Sequence, residues 1–243
     1  TLCCPRYKVA SFEILDIALL KALGNTGKPI IISTGMASIA ENADAIDAVR
    51  SGSPRNFLGA NITLLKCTSA YPAEPREINL RTMADMKHRP LEIMPLDRRS
   101  ADPRISVGLS DHTMGSAVAV AATALGATMI EKHFTLDRSK GGPDAHFSME
   151  PYEFQQMVHD CRAAKAALGD VRYGPTAGES TELRRGIYWA KTLPAGHIVD
   201  PTDMVTARPA TEVTPREARG LIGSKLTSAV YRGEPVELPA RFD

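Results

Sequence analysis

ISVGLSDHT (residues 105–113) and MIEKHF (residues 129–134) each pass from an apolar run into polar residues. That is the pattern of a strand buried on both faces whose tip is left free for chemistry. Outward from these two, the same grammar recurs at residues 7–11, 29–34 and 62–68. With 105–110 and 129–134 this predicts five strands. Helical patterns lie between them. Ser38-Ile39-Ala40-Glu41 reads as a capping box, opening a helix with Ile39, Ala43, Ile46 and Val49 on one face. Residues 151–168 start on a proline and stop before Gly169, with Phe154, Val158, Cys161 and Leu168 near one stripe. Repeated β-then-α units predict a parallel sheet. An open doubly wound sheet and part of a (β/α)8 barrel both satisfy the pattern.

The rest of the chain bounds the setting. Its 243 residues are 43% hydrophobic and 23% charged, with a net charge of +1. This is an ordinary globular composition, with no basic field for nucleic acid. No apolar run approaches the roughly 20 residues a membrane span requires, and no secretory signal opens the sequence. Cys3, Cys4, Cys67 and Cys161 have neither metal nor disulfide spacing, which suits reduced thiols in the cytoplasm. Residues 88–104 read as a long loop and 171–184 as a linker, so the predicted division is 1–170, linker, and 185–243. The last part looks β-rich, with short strands at 187–191, 205–208 and 228–230 and turns at 194–196 and 232–233. So small a core calls for docking or dimerisation.

Chemistry is expected at the strand tips, because the C-terminal ends of parallel strands form the active face of such folds. Ser33 and Thr34 precede Gly35, Ser69 and Tyr71 follow the third strand, and Ser110 to Thr113 close the fourth. His112 and His133, on consecutive strands, could share one divalent cation or could each be a hydrogen-bonded structural histidine. The other four, His88, His146, His159 and His197, read as surface residues. Lys8 is positioned for a phosphate or carboxylate with Ser11 nearby, or else snorkels to solvent. Strand alternation separates Lys132 from Glu131 and His133, which suggests a structural lysine. Asp144, in GGPD, is either a turn residue or a ligand for substrate hydroxyls.

The blocks KVASFEI (8–14), IISTGM (31–36), LLKCTSAYPA (64–73), GLSDHTMG (108–115), IEKHFTLDR (130–138) and GGPDAHFSMEP (141–151) together resemble the sialic acid synthase family. They occur in family order, and the resemblance covers residues 7–243. Phe12, LLKCTSAYP and HFSME are most similar to the pseudaminic acid branch of that family. The resemblance implies a (β/α)8 TIM barrel followed by a small antifreeze-like (SAF) domain. By the same resemblance the chain starts at the fourth barrel strand and lacks the first three β/α units.

The implied reaction condenses phosphoenolpyruvate with 2,4-diacetamido-2,4,6-trideoxy-L-altrose and releases phosphate. By the same resemblance His112 and His133 hold Mn²⁺ or Mg²⁺, with Glu131 beside the metal as a catalytic group. Lys8, Ser11, Ser33 and Ser110 match residues that hold phosphoenolpyruvate, and Tyr71 and Asp144 match sugar contacts. Arg208 matches an arginine that reaches the partner's site in a swapped homodimer. A glutamate and a lysine of the family's first strands have no counterpart, Ala210 replaces a usual glycine, and the 88–104 loop is longer. These departures lead us to expect that the 243 residues alone are poorly stable and inactive. Synthesis of N-acetylneuraminic or legionaminic acid, and a non-catalytic dimerisation module, are the alternative readings.

Overall fold

A computed structural model of the chain describes residues 3–53, 61–88 and 105–238. It divides into two compact units, Thr1–Asp170 and Val171–Asp243. The first alternates strand and helix throughout: β1 (Tyr7–Val9), α1 (Ile17–Gly24), β2 (Ile30–Ser33), α2 (Ile39–Gly52), β3 (Ile62–Cys67), α3 (Arg81–His88), β4 (Ile105–Asp111), α4 (Ala117–Ala124), β5 (Ile130–Lys132) and α5 (Pro151–Leu168). The predicted loop at 88–104 lies outside the described residues, apart from its first position at the end of α3.

All five strands are parallel, and their spatial order is their chain order. A doubly wound sheet reverses its strand order at a switch point, and this one does not. The sheet is also curled. Neighbouring strands stand about 4.8 Å apart, so in a flat sheet β1 and β5 would be separated by roughly 19 Å. Yet Lys8 of β1 and Glu131 of β5 bring their side chains to 3.4 Å. The unit is therefore a half-barrel.

Its core lies between the convex face of the sheet and the helices. Val9, Ile30, Ile32, Ile62 and Leu64 pack against Leu20, Ile46 and Val49. Helices α1 and α2 approach closely because Gly24 has no side chain; a Cβ there would run into the Val49 carbonyl. The Ser38–Glu41 capping box is formed, the Ser38 N–H donating to the Glu41 carboxylate at 2.6 Å. The buried stripe of α2 is Ala45, Ile46, Ala48 and Val49, and Ile39 in the first turn stands exposed. α5 starts at Pro151 and ends before Gly169 (φ 48°); Phe154 and Cys161 of the predicted stripe pack against the core beside the buried anchor, Met157, while Leu168 is exposed. The anchoring position is set by contact with Ala119 and Met149, which periodicity along α5 cannot reveal.

The second unit pairs β6 (Gly186–Trp189) with β7 (Met204–Ala207) in antiparallel fashion. Residues 228–230 make no full strand; Val230 forms a single bridge to Leu193. Trp189, Val199, Leu226, Val230 and Val236 are buried together. Asp203, 2% exposed, accepts hydrogen bonds from His197 Nε2 (2.7 Å), Lys191 Nζ (3.0 Å) and the Asp200 N–H (2.9 Å). His197 is thus a half-buried tie within this unit, not a free surface histidine. None of the helices among the described residues is long and apolar enough to cross a membrane.

Candidate active site

Side chains alternate along each strand, so those pointing away from the helices line the concave face. At the C-terminal strand ends this face encloses a cavity of about 280 Å³. Its walls come from Lys8, Ala10, Ser11, Ser33, Cys67, Tyr71, Ser110, His112, Glu131, Lys132 and His133. Eight of the predicted site residues therefore meet in one place. Asp144 stands at its margin, with its carboxylate 3.6 Å from His133 Nδ1 and about half its side-chain surface exposed. Arg208 follows β7 in the second unit.

Register explains the convergence. Cys67 lies opposite Ser110, and Ser110 opposite Glu131, so three neighbouring strands present one polar row to the cavity. Glu131 then reaches across the curl, where its Oε2 meets Lys8 Nζ at 3.4 Å and accepts from Ser33 Oγ at 3.4 Å. Ser11 sits in the first turn after β1, where its hydroxyl accepts the Gly35 N–H at 3.0 Å. A Cβ at Gly35 would crowd the hydroxyls of Ser11 and Ser69, which would have to shift to admit it.

The two histidines form the other wall. Their ring centroids are 5.1 Å apart, with Tyr71 4.4 Å from His112 and Phe147 4.8 Å from His133. His112 Nδ1 donates to the Thr68 carbonyl at 2.8 Å, which fixes Nδ1 as the protonated nitrogen of the neutral ring. Burial works to lower the His112 pKa, but hydrogen bonds to the Cys67 sulfur and Thr68 carbonyl outweigh it and hold it above the ordinary value. His133 moves the other way, lowered by burial and by the charge on His112, against Asp144 and Glu131. Burial raises the Cys67 thiol, yet His112, Ser11 and Ser110 bring it down to about 7. Tyr71 is raised, by burial first and then by the negative charges of Cys67, Asp144 and Glu131.

Among the described residues, no group of three or more His, Cys, Asp or Glu side chains is placed to share one metal ion. The donor set that fits a cation is thus two adjacent imidazoles, one with its tautomer fixed by a backbone carbonyl. The remaining positions would be open to water or substrate oxygen. Such a set suits a divalent cation that works with substrate bound.

Sequence reasoning missed Cys67 as a cavity residue, because its spacing to other cysteines carries no signal. Its place at the end of β3, in register with Ser110, is the signal that would have found it. Lys132 fulfils the structural expectation: its ammonium meets Asp111 Oδ2 at 2.8 Å, with both side chains almost wholly buried.

The strand tips of the half-barrel thus gather a lysine, three serine hydroxyls, a carboxylate and two histidines around one cavity. The chain belongs to the NeuB family, whose sequence profile matches residues 1–173, and the SAF domain profile matches residues 184–239. It is 36% identical to the pseudaminic acid synthase of Helicobacter pylori, over 96% of this chain and 64% of that protein. It is 34% identical to the N,N'-diacetyllegionaminic acid synthase of Legionella pneumophila, over 94% of this chain and 61% of the relative. The chain thus spans a little under two thirds of the length of these relatives. Among solved structures, the N-acetylneuraminic acid synthetase of Leptospira borgpetersenii superposes with a TM-score of 0.59 at 30% identity, covering 72% of this chain and 55% of that one.

Proposed function

We propose that this chain carries the substrate- and metal-binding face of a pseudaminic acid synthase, joining phosphoenolpyruvate to 2,4-diacetamido-2,4,6-trideoxy-L-altrose. The observation that carries the reading is the single cavity in which Lys8, three serine hydroxyls, Glu131 and two histidines converge. In this reading Lys8, Ser11, Ser33 and Ser110 hold the phosphate and carboxylate of phosphoenolpyruvate by charge-assisted hydrogen bonds. Tyr71 and Asp144 contact the open-chain sugar. Arg208 is supplied by the partner in a swapped homodimer, and the enzyme works in the cytoplasm.

His112 and His133 would hold Mn²⁺ or Mg²⁺, which supplies Lewis-acid polarisation of the sugar aldehyde. C3 of phosphoenolpyruvate bonds to the aldehyde carbon, whose oxygen takes up a proton. Water adds at C2, and the resulting tetrahedral centre expels inorganic phosphate. Lys8 and the serine hydroxyls compensate the negative charge of the phosphate throughout. In this reading Glu131, the carboxylate in the cavity wall, is the catalytic group that takes the proton from the attacking water.

Among the described residues β1 and β5 are the edge strands of the sheet, and the cavity lies between them. Saturation-transfer NMR with Mg²⁺ and phosphoenolpyruvate tests the substrate directly. The altrose derivative is expected to receive magnetisation and N-acetylmannosamine far less; the reverse order would rule out the pseudaminic reading. The nearly equal identity to a legionaminic acid synthase makes that activity the second reading, tested by including its sugar substrate in the same experiment.

A further inference from the structure

The turn that carries His112 and the strand end that carries His133 are joined on their far side by a buried ion pair. Asp111 and Lys132 face each other in register on β4 and β5. Their side chains are 0% and 1% exposed, and Lys132 Nζ lies 2.8 Å from Asp111 Oδ2. The same ammonium donates to the Thr113 carbonyl at 2.5 Å. The other carboxylate oxygen of Asp111 accepts the Thr113 N–H at 2.9 Å and the Thr113 hydroxyl at 2.8 Å. Thr113 is itself wholly buried. Every bond of this cluster therefore closes over His112, the residue between Asp111 and Thr113, or begins next to His133.

A buried ion pair contributes little net stability, since desolvating two charges offsets most of their attraction, and apolar replacements of similar volume are often tolerated. Its location is more informative than its strength. Strand alternation puts Ser110 and Glu131 on the cavity face and turns Asp111 and Lys132 from it, although Lys132 still touches the wall, and His112 and His133 directly follow the two strand ends. We infer that Asp111, Lys132 and Thr113 are positioning residues that fix the distance and orientation of His112 relative to His133, and so set the metal affinity of the cavity. The inference rests on the reading of the two histidines as metal ligands. Lys132 acts as a tie bar: it holds the backbone of the His112 turn to β5 through both a side chain and a carbonyl, so neither histidine can drift without breaking a buried bond.

The test is Mn²⁺ affinity by electron paramagnetic resonance, measured beside the thermal midpoint, on the full 243-residue chain. Lys132→Met alone leaves a buried carboxylate unpaired and is expected to unfold at much lower temperature. The double variant Asp111→Asn/Lys132→Met keeps an acceptor for Thr113 and removes both charges. It is expected to melt near the wild type while binding Mn²⁺ roughly 10-fold more weakly, as loss of groups that orient metal ligands generally does. Thr113→Val deletes one hydroxyl bond to Asp111, leaves the ion pair in place, and is expected to weaken Mn²⁺ binding about 3-fold by the same principle. Unchanged affinity in either variant, with the fold intact, overturns the inference. A wild-type chain that binds no Mn²⁺ overturns the metal reading itself, a separate outcome.

Discussion

Lys8 on one edge strand and Glu131 on the other are 3.4 Å apart, and Glu131 also accepts from Ser33 on the strand beside Lys8. The contact shows how far the half-barrel curls, and it sets Lys8 in the cavity wall, where the proposed function has it meet the phosphate of the substrate. An ammonium bonded to an anionic ligand contributes about 1.5–3 kcal/mol. Lys8→Met is therefore expected to weaken phosphoenolpyruvate binding roughly 10- to 100-fold by that magnitude while leaving Mn²⁺ affinity as it was. Isothermal titration with each ligand separately checks both halves of the statement.

Gly35 connects β2 to the hydroxyl cluster. Its N–H donates to Ser11, and a side chain at this position would strike the hydroxyls of Ser11 and Ser69. Gly35→Ala must push both away from the cavity floor, with an overpacking cost of about 1–3 kcal/mol. Phosphoenolpyruvate affinity is expected to drop more than tenfold, and the thermal midpoint to fall by several degrees. A variant that melts lower yet binds normally would show that Ser11 does not touch the ligand.

Asp203 ties the second unit together, and its pKa gives that tie a pH dependence. Burial alone would raise this carboxyl, but bonds from Asp200, His197 and Lys191 bring it to about 2, below the ordinary 3.8. A carboxylate whose folded pKa is depressed contributes stability that is fully present above its unfolded pKa and lost as pH falls through the folded one. The contribution is about 2 kcal/mol, complete above pH ~4 and gone near pH ~2. Asp203→Asn is expected to destabilise the second unit by that amount at neutral pH, the difference closing between pH ~4 and ~2. Trp189, the single tryptophan of the chain, is 1% exposed in this unit's core, so its fluorescence reports the transition.

Much of this arrangement was legible in the residues. Short apolar runs ending in Ser33, Ser110 and His112 mark strands whose tips converge, because parallel strands share one polarity. Alternation around Lys132 separated a structural lysine from the cavity-lining Glu131 and His133. What was not legible depends on contacts between distant segments. The choice of barrel over open sheet needed the strand order and the curl seen between Lys8 and Glu131. Strand ends also shifted: β4 runs one residue past the prediction, to Asp111, whereas β5 stops at Lys132, where His133 and Phe134 turn to pair with Met149. Cys67 and Phe147 entered the site through register and loop closure, neither of which leaves a spacing pattern. His197 looked like a surface residue because its partner, Asp203, is set by the fold of the second unit.

The central claim is that His112 and His133 make one metal site on this cavity wall. Mn²⁺ titration of the wild type, His112→Ala and His133→Ala, followed by electron paramagnetic resonance, tests it most directly. The account predicts one bound Mn²⁺ per wild-type chain and loss of that site in each variant, with the fold retained. Wild-type affinity in either variant would contradict it.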